Sequence, residues 1–590
     1  MKYLDSINAP TDVKQLSIKE LNVLASEIRV VLLEKMSKCG GHFGPNFGLV
    51  EATIALHYVF NSPVDKFVFD VSHQSYVHKI LTGRRDAFVM EDKYNEVSGY
   101  TNPKESKHDM FNIGHTSTSI SLACGLAKGR DLVGGKENII AIIGDGSLSG
   151  GEAYEGLNNV NEQGTNMIII VNDNNMSIAE NHGGLYPHLA NLRKTNGLSE
   201  NNIFKCLGYN YLYVKGGNSI ESLIEAFSSV KDTNRPVVVH INTQKGKGYS
   251  IAESDKENWH WSPPFFIENG DTRRKMTGEN YDNIVCDYLL DKMKKDSKVV
   301  ALVAAVPLTI GFTKEKRDIA GKQFVDVGIA EEHAVAMASG IARYGGKPVF
   351  ATFSSFFQRT YDQISQELCI NKCPATLLVR NASVWGPNDV THLGIFDIPM
   401  MSNIPNLVYL APTNCEEYLA MLDWSIEQNE HPVAIRIPRN GVFHTSRIVD
   451  KDYSDLNKSL VTKDGCKVAI LALGDFYQLG EELSCHLSME LGIEVTLVNP
   501  RFITGIDIDL LDRLKERHEV VVTMEDGVLD GGYGQKISSY YGSSKMKVLN
   551  YGFKKAFIDR FNANDILMEN GITIENMTND ILQIIDEIRQ

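Results

Sequence analysis

Among 590 residues there are nine cysteines and no Cys-x-x-Cys pair. The nearest two, Cys369 and Cys373, have no companion ligands, which argues against a zinc site or a disulfide framework and for reduced thiols in a cytoplasmic protein. No apolar run reaches about 18 residues, the length a membrane-spanning helix needs. Met1–Pro10 lacks a basic stretch followed by an apolar one, so neither membrane insertion nor export is expected. Positive charge is also in deficit: 59 Lys and Arg face 74 Asp and Glu, a formal net charge of −15. Nucleic-acid binding by counterion release needs clustered cations, so the expected partners are small metabolites. Repeats and low-complexity tracts are missing, and 43% hydrophobic with 23% charged residues is the composition of a globular chain.

The length exceeds what one hydrophobic core organises. Short β-branched runs at Phe67–Val71, Ile139–Ile143, Met167–Val171 and Pro236–Ile241 alternate with segments of helical period, the pattern of buried parallel strands in an α/β domain with helices on both faces. The stretch Glu268–Tyr281, rich in Gly, charge and turn formers, reads as a linker. A second series follows at Val299–Ala304, Val349–Phe353, Thr376–Val379, Val408–Ala411 and Val433–Ile437. After a polar stretch at Thr445–Lys467, a third comprises Val468–Leu473, Glu494–Val498 and Val520–Thr523 and ends in a helix around Ile574–Arg589. The expected architecture is three doubly wound α/β domains, residues 1–267, 280–443 and 464–590.

The most specific motif is Gly144-Asp145-Gly146, placed directly after the predicted strand Ile139–Ile143. Asn172-Asp173-Asn174-Asn175-Met176 ends the next strand, with Asn174 29 positions after Asp145. A diphosphate at the carboxyl edge of a parallel sheet calls for a hard divalent cation, and Mg²⁺ accepts a carboxylate, an amide oxygen and a backbone carbonyl. Asp145, Asn174 and the carbonyl of Met176 are the candidates for those ligands. Gly144 and Gly146 would let the backbone approach the phosphates, beside a helix N-terminus that favours their charge. Gly-Asp-Gly alone is no more than a strand-to-helix turn; paired with Asn-Asp-Asn at this spacing it is the thiamine-diphosphate signature.

Further segments fall into place with that signature: Gly40-Gly41-His42-Phe43-Gly44, Asp70-Val71-Ser72-His73-Gln74, His78–Asp86, Gly114-His115-Thr116-Ser117-Thr118-Ser119, Lys245-Gly246-Lys247-Gly248-Tyr249, Asp326–His333 and Phe356-Phe357-Gln358-Arg359. On these motifs the chain resembles the 1-deoxy-D-xylulose-5-phosphate synthases, transketolase-like thiamine-diphosphate enzymes, along nearly its whole length, with a shortened stretch near Leu185–Asn202. The resemblance implies a homodimer with a transketolase C-terminal-like third domain, and thiamine diphosphate and Mg²⁺ held between the first two domains. It further implies a condensation of pyruvate with glyceraldehyde 3-phosphate that releases carbon dioxide. His73, Gly114, His115, Thr116, Gly146, Ser147, Asn174 and Met176 would contact the cofactor. Glu331 would hydrogen-bond N1′ of the aminopyrimidine, promoting the tautomer that removes the thiazolium C2 proton, and Phe356 would stack on that ring. His42, His73 and His392 would assist proton transfer, since imidazole titrates near neutrality. Arg359 and Arg439 would hold the acceptor phosphate, although structural ion pairs also populate clefts.

Four acceptor-side positions depart from the family pattern. The Asp-Arg-Ala-Gly loop reads Arg380-Asn381-Ala382-Ser383, placing Asn381 where an arginine is expected; neighbouring strand residues face opposite ways, so Arg380 does not replace it. The following acid is Asn388, an expected tyrosine is Phe353 and an expected basic residue is Asp92. Losing cations weakens phosphate recognition. Three other readings therefore stay open: a paralogue with the same donor chemistry and a different aldehyde, phosphorylated or not, a transketolase-type glycolaldehyde transferase, and a non-catalytic cofactor-binding paralogue. Gly531-Gly532-Tyr533-Gly534 in the third domain reads as a structural loop.

Overall fold

The computed structural model describes residues 1–274 and 278–590. Residues 275–277 of the expected linker lie outside the described residues. The chain gathers into two compact units, Met1–Thr277 with Gly328–Ala330, and Gly278–Val327 with Glu331–Gln590.

The first unit carries one sheet built from β1 (Lys66–Phe69), β2 (Ile139–Gly144), β3 (Ile168–Asp173), β4 (Asn210–Val214) and β5 (Val237–Asn242). Their order is β1-β2-β3-β5-β4, and every neighbouring pair runs parallel. Alternation along β2 explains why the run Ile139–Ile143 has no polar residue. Ile139, Ala141 and Ile143 enter one buried cluster, and Ile140 and Ile142 enter another on the opposite face. Helices must therefore cover both faces, and the carboxyl ends of all five strands meet at one edge.

The second unit holds two sheets. One runs β10-β11-β9-β8-β6-β7, all parallel, from β6 (Val299–Val303), β7 (Phe324–Asp326), β8 (Lys347–Phe353), β9 (Thr376–Arg380), β10 (Val408–Leu410) and β11 (Val433–Arg436). The other runs β12-β14-β13-β15-β16, from β12 (Leu460–Lys463), β13 (Lys467–Ala472), β14 (Thr496–Asn499), β15 (His518–Val528) and β16 (Lys547–Phe553). Only β12 is antiparallel to its neighbour. The stretch expected to be merely polar, Thr445–Lys467, thus contributes a strand; its half-exposed residues pair along a sheet edge rather than filling a core.

Residues of both sheets enter one buried cluster, Leu302, Leu377 and Val379 from the first and Ala469, Leu471 and Val521 from the second. A buried ion-pair network joins them as well: Arg436 on β11 binds Asp397 and Asp526, the latter on β15. Gly531-Gly532-Tyr533-Gly534 serves the fold, since the N–H groups of Tyr533 and Gly534 both donate to the buried Glu525 carboxylate at 2.8 Å.

Candidate active site

In the first unit the loops leaving β1, β2 and β3 converge with residues 113–119. Asp70, just after β1, accepts the backbone N–H of Ser117 at 2.8 Å and of Ser119 at 2.9 Å. Ser117, at φ 75°, donates its hydroxyl to the carbonyl of Ser147 at 2.8 Å. Val71 and Ser72 sit at φ 58° and 64°, and a β-branched residue there stores about 1–3 kcal/mol of strain. The surroundings hold it: the Ser72 hydroxyl donates to Ile113 O at 2.7 Å and accepts the Thr101 N–H at 2.9 Å. Gly114, His115 and Thr116 are thereby suspended between two fixed points, Ile113 and Ser117.

Asp145 is 1% exposed. Its Oδ2 accepts the Met176 N–H at 3.1 Å and the Asn181 amide at 2.8 Å. Burial, reinforced by Asp173, pushes its carboxyl up to about 7. Beside it, Asn174 Oδ1 and Asn181 Oδ1 are buried and accept no hydrogen bond. Orphaned buried acceptors are costly and call for a missing partner. Among the described residues no group of three or more His, Cys, Asp or Glu gathers as a metal site. What gathers here is one carboxylate with amide and backbone oxygens, a donor set suited to Mg²⁺ rather than to zinc. A Cβ on Gly146 would lie 2.8 Å from Ser177 Oγ and 2.9 Å from Ser177 Cα, so the close approach of the two loops requires glycine. At Gly144 nothing lies within 4 Å of such an atom. Gly146→Ala should therefore raise the thiamine-diphosphate dissociation constant by about tenfold, some 1.4 kcal/mol, in a calorimetric titration, because Ser177 must be displaced before the loops can close.

His42 and His73 come together with ring centroids 4.9 Å apart. Asn46 fixes their backbones: its amide nitrogen donates to the carbonyls of both residues at 2.7 Å, and its Oδ1 accepts the Tyr76 N–H at 2.9 Å. A third imidazole, His260, stands 5.8 Å from His42 and 5.3 Å from His73, and burial holds it neutral, well below its ordinary range. Lys245 is buried, donates to Ser177 O at 2.6 Å, and is pushed down to about 7 by desolvation. Sequence reasoning assigned no role to Asn46, His260 or Lys245. Lys245 does lie inside a quoted motif; nothing local marks the other two.

In the second unit Glu331 opens the helix Glu331–Arg343 and is 4% exposed. Its Oε2 has no hydrogen-bond partner, with Arg359 Nη1 at 3.6 Å. Burial raises its carboxyl above the usual range, opposed by Arg359. Phe356 packs between Phe353, 5.1 Å away and nearly parallel, and His392, 5.4 Å away and edge-on. His392 Nδ1 lies 3.1 Å from Asp389 Oδ1. Burial would raise the Asp389 carboxyl, but hydrogen bonds from His392 and Thr391 hold it down at about 2. Asn381 is buried in a left-handed turn at φ 52°. Arg380 is buried elsewhere, paired with Asp282 and donating to Thr309 O at 2.9 Å. Asn388 donates to Phe561 O at 3.1 Å. Arg439 exposes its side chain, while its N–H donates to Asp475 at 2.6 Å. Asp92, in the first unit, is exposed on the short turn Glu91–Lys93.

Residues 4–203 match the family model described as 1-deoxy-D-xylulose-5-phosphate synthase. Residues 280–443 match that of the transketolase pyrimidine-binding domain, and 457–577 that of the transketolase C-terminal domain. The chain is 39% identical to a 1-deoxy-D-xylulose-5-phosphate synthase of Caldanaerobacter subterraneus subsp. tengcongensis, over 99% of this chain and 100% of the relative. It is 38% identical to that of Alkaliphilus oremlandii, over 100% and 99% of the two chains, and 38% identical to that of Clostridium acetobutylicum, over 98% and 99%. A transketolase structure from Campylobacter jejuni aligns at 17% identity and a TM-score of 0.44, over 96% of this chain and 100% of that one. Full-length identity at this level places the chain: it belongs to the 1-deoxy-D-xylulose-5-phosphate synthase family.

Proposed function

We propose that the protein condenses pyruvate with glyceraldehyde 3-phosphate to give 1-deoxy-D-xylulose 5-phosphate and carbon dioxide, with thiamine diphosphate as cofactor. The observation that carries this reading is 39% identity, over 99% of the chain, to a protein that bears the name of that activity. When bound, thiamine diphosphate would supply an acidic carbon for addition to the pyruvate carbonyl and a sink for the electron pair left behind as carbon dioxide departs.

The chain's own residues bind, orient and move protons. Asp145, Asn174 and the carbonyl of Met176 would hold Mg²⁺; the orphaned Asn174 Oδ1 supports this assignment. Gly114, His115, Thr116, Gly146 and Ser147 would line the diphosphate, Glu331 would hydrogen-bond N1′ of the aminopyrimidine, and Phe356 would stack on that ring. His42 and His73 move protons at the reacting carbonyls, and His392 does so from beside Phe356. Arg359 and Arg439 would engage the acceptor phosphate, with Asn381 and Asn388 as further acceptor-side positions. We assign these roles to domains 1–267 for the diphosphate, 280–443 for the aminopyrimidine and 464–590 for packing. A homodimer is part of the same reading, supported by the helix Glu331–Arg343, which leaves His333, Gly340 and Arg343 exposed. So is a reducing, cytoplasmic setting, supported by nine free cysteines and by the lack, among the described residues, of a helix long and apolar enough to cross a membrane.

Incubation with pyruvate, glyceraldehyde 3-phosphate, thiamine diphosphate and Mg²⁺ should yield 1-deoxy-D-xylulose 5-phosphate and carbon dioxide in equal amounts, identified by NMR and mass spectrometry. Turnover only with unphosphorylated aldehydes, or only with a ketose phosphate as donor, would replace this reading with one of its rivals.

A further inference from the structure

We propose that Arg193 is a positioning residue that presets the Asn174–Met176 turn for its cation, acting from the helix that the shortened stretch 185–202 retains. The proposal rests on the assignment of Asp145, Asn174 and Met176 as cation ligands. Arg193 lies near the end of the helix Leu185–Lys194. Its two terminal nitrogens reach the residues on either side of Asn174: Nη1 donates to Asp173 Oδ2, and Nη2 donates to Asn175 Oδ1 at 2.9 Å.

Each of those two residues is itself constrained. Asp173 ends β3 fully buried, its Oδ2 facing His240 Nε2 at 2.8 Å, with Tyr211 Oη 2.8 Å from the other ring nitrogen. Asp173 Oδ1 accepts the Asn175 N–H at 3.1 Å. Asn175 sits in the left-handed region at φ 59°, which asparagine tolerates better than most residues but which still needs support. One planar guanidinium therefore fastens the strained residue to the immobile one, and Asn174 between them is left with a buried Oδ1 that accepts no hydrogen bond. Groups that orient metal ligands without touching the metal typically change affinity by about 10–100-fold. Lysine keeps the charge but offers one nitrogen in place of the fork, so it spans the two acceptors less well. Losing the guanidinium leaves the fold supported, because His240 still faces Asp173 and the helix keeps Tyr186, Leu189 and Leu192 buried.

The test is calorimetric titration of thiamine diphosphate into the full-length protein at a series of Mg²⁺ concentrations, comparing wild type with Arg193→Gln and Arg193→Lys. Arg193→Gln should raise the Mg²⁺ needed for half-maximal cofactor binding by about 10–100-fold, and Arg193→Lys by clearly less. Turnover at saturating Mg²⁺ should stay at the wild-type level. An unchanged Mg²⁺ requirement in Arg193→Gln overturns the proposal, as does an equal loss of turnover that Mg²⁺ does not restore. Should Arg193→Gln fail to fold, Asn175→Gly decides in its place: it removes the acceptor while permitting the same φ, and a raised Mg²⁺ requirement supports the proposal whereas an unchanged one overturns it. A wild-type chain that binds thiamine diphosphate without Mg²⁺ dependence removes the ligand assignment and this proposal with it; a Mg²⁺-dependent wild type beside an equally dependent variant removes this proposal alone.

Discussion

Glu331→Ala should lower turnover of pyruvate and glyceraldehyde 3-phosphate by about 10³-fold, within the usual worth of a positioned proton donor or acceptor, while thiamine-diphosphate affinity changes by less than about tenfold. Glu331 is buried at the start of its helix, with one carboxyl oxygen lacking a hydrogen-bond partner. Burial raises its proton affinity, the direction that favours a proton shared with N1′, and the nearby Arg359 opposes that shift. Removing it takes away the proton at N1′ without touching the diphosphate ligands. NMR-detected deuterium exchange at C2 of the bound cofactor separates this from a binding defect: exchange should slow in step with turnover. Wild-type exchange in the variant would mean that Glu331 has another task.

Asp145→Ala should abolish Mg²⁺-dependent cofactor binding, a loss of at least about 100-fold, or roughly 2.7 kcal/mol, by calorimetry, and turnover with it. The substitution deletes the one charged oxygen of the donor set. It also leaves the Met176 N–H and the Asn181 amide without their acceptor, so the turn that carries Asn174 loses its anchor. Asp145→Asn keeps the volume but not the charge and should fail similarly, because a divalent cation needs the carboxylate more than the shape. Retained Mg²⁺-dependent binding in both variants would move the cation elsewhere.

How much was legible beforehand follows from burial. The central strands of all three sheets announce themselves as unbroken apolar runs because both faces are covered, as Ile139–Ile143 illustrates. Four strands gave no such signal: β4, β7, β12 and β16. Each lies at the edge of its sheet, and their burial is mixed or intermediate, so their sequences carry no unbroken buried run. The same contrast governs the site. Asp145 and Asn174 belong to short motifs at the ends of neighbouring strands, where spacing alone brings them together. Asn46, which ties the His42 carbonyl close by in sequence to that of His73, and His260, which completes the imidazole cluster from a distant segment, carry no local pattern. Arg193 was hidden for another reason: a single arginine late in an amphipathic helix has the ordinary appearance of a solvated face, and its targets Asp173 and Asn175 become visible only in three dimensions.

The apolar cluster common to the second and third sheets bears on how the polypeptide can be divided. Leu377 and Val379 belong to the same buried cluster as Leu471 and Val521, so residues 464–590 are no detachable appendage. Severed, they would leave the partner sheet with a naked greasy flank, and Arg436 would lose the countercharge it receives from Asp526. A region without an identified catalytic group is thereby indispensable to the one that carries Glu331, and in heat the pair should melt as a single cooperative block.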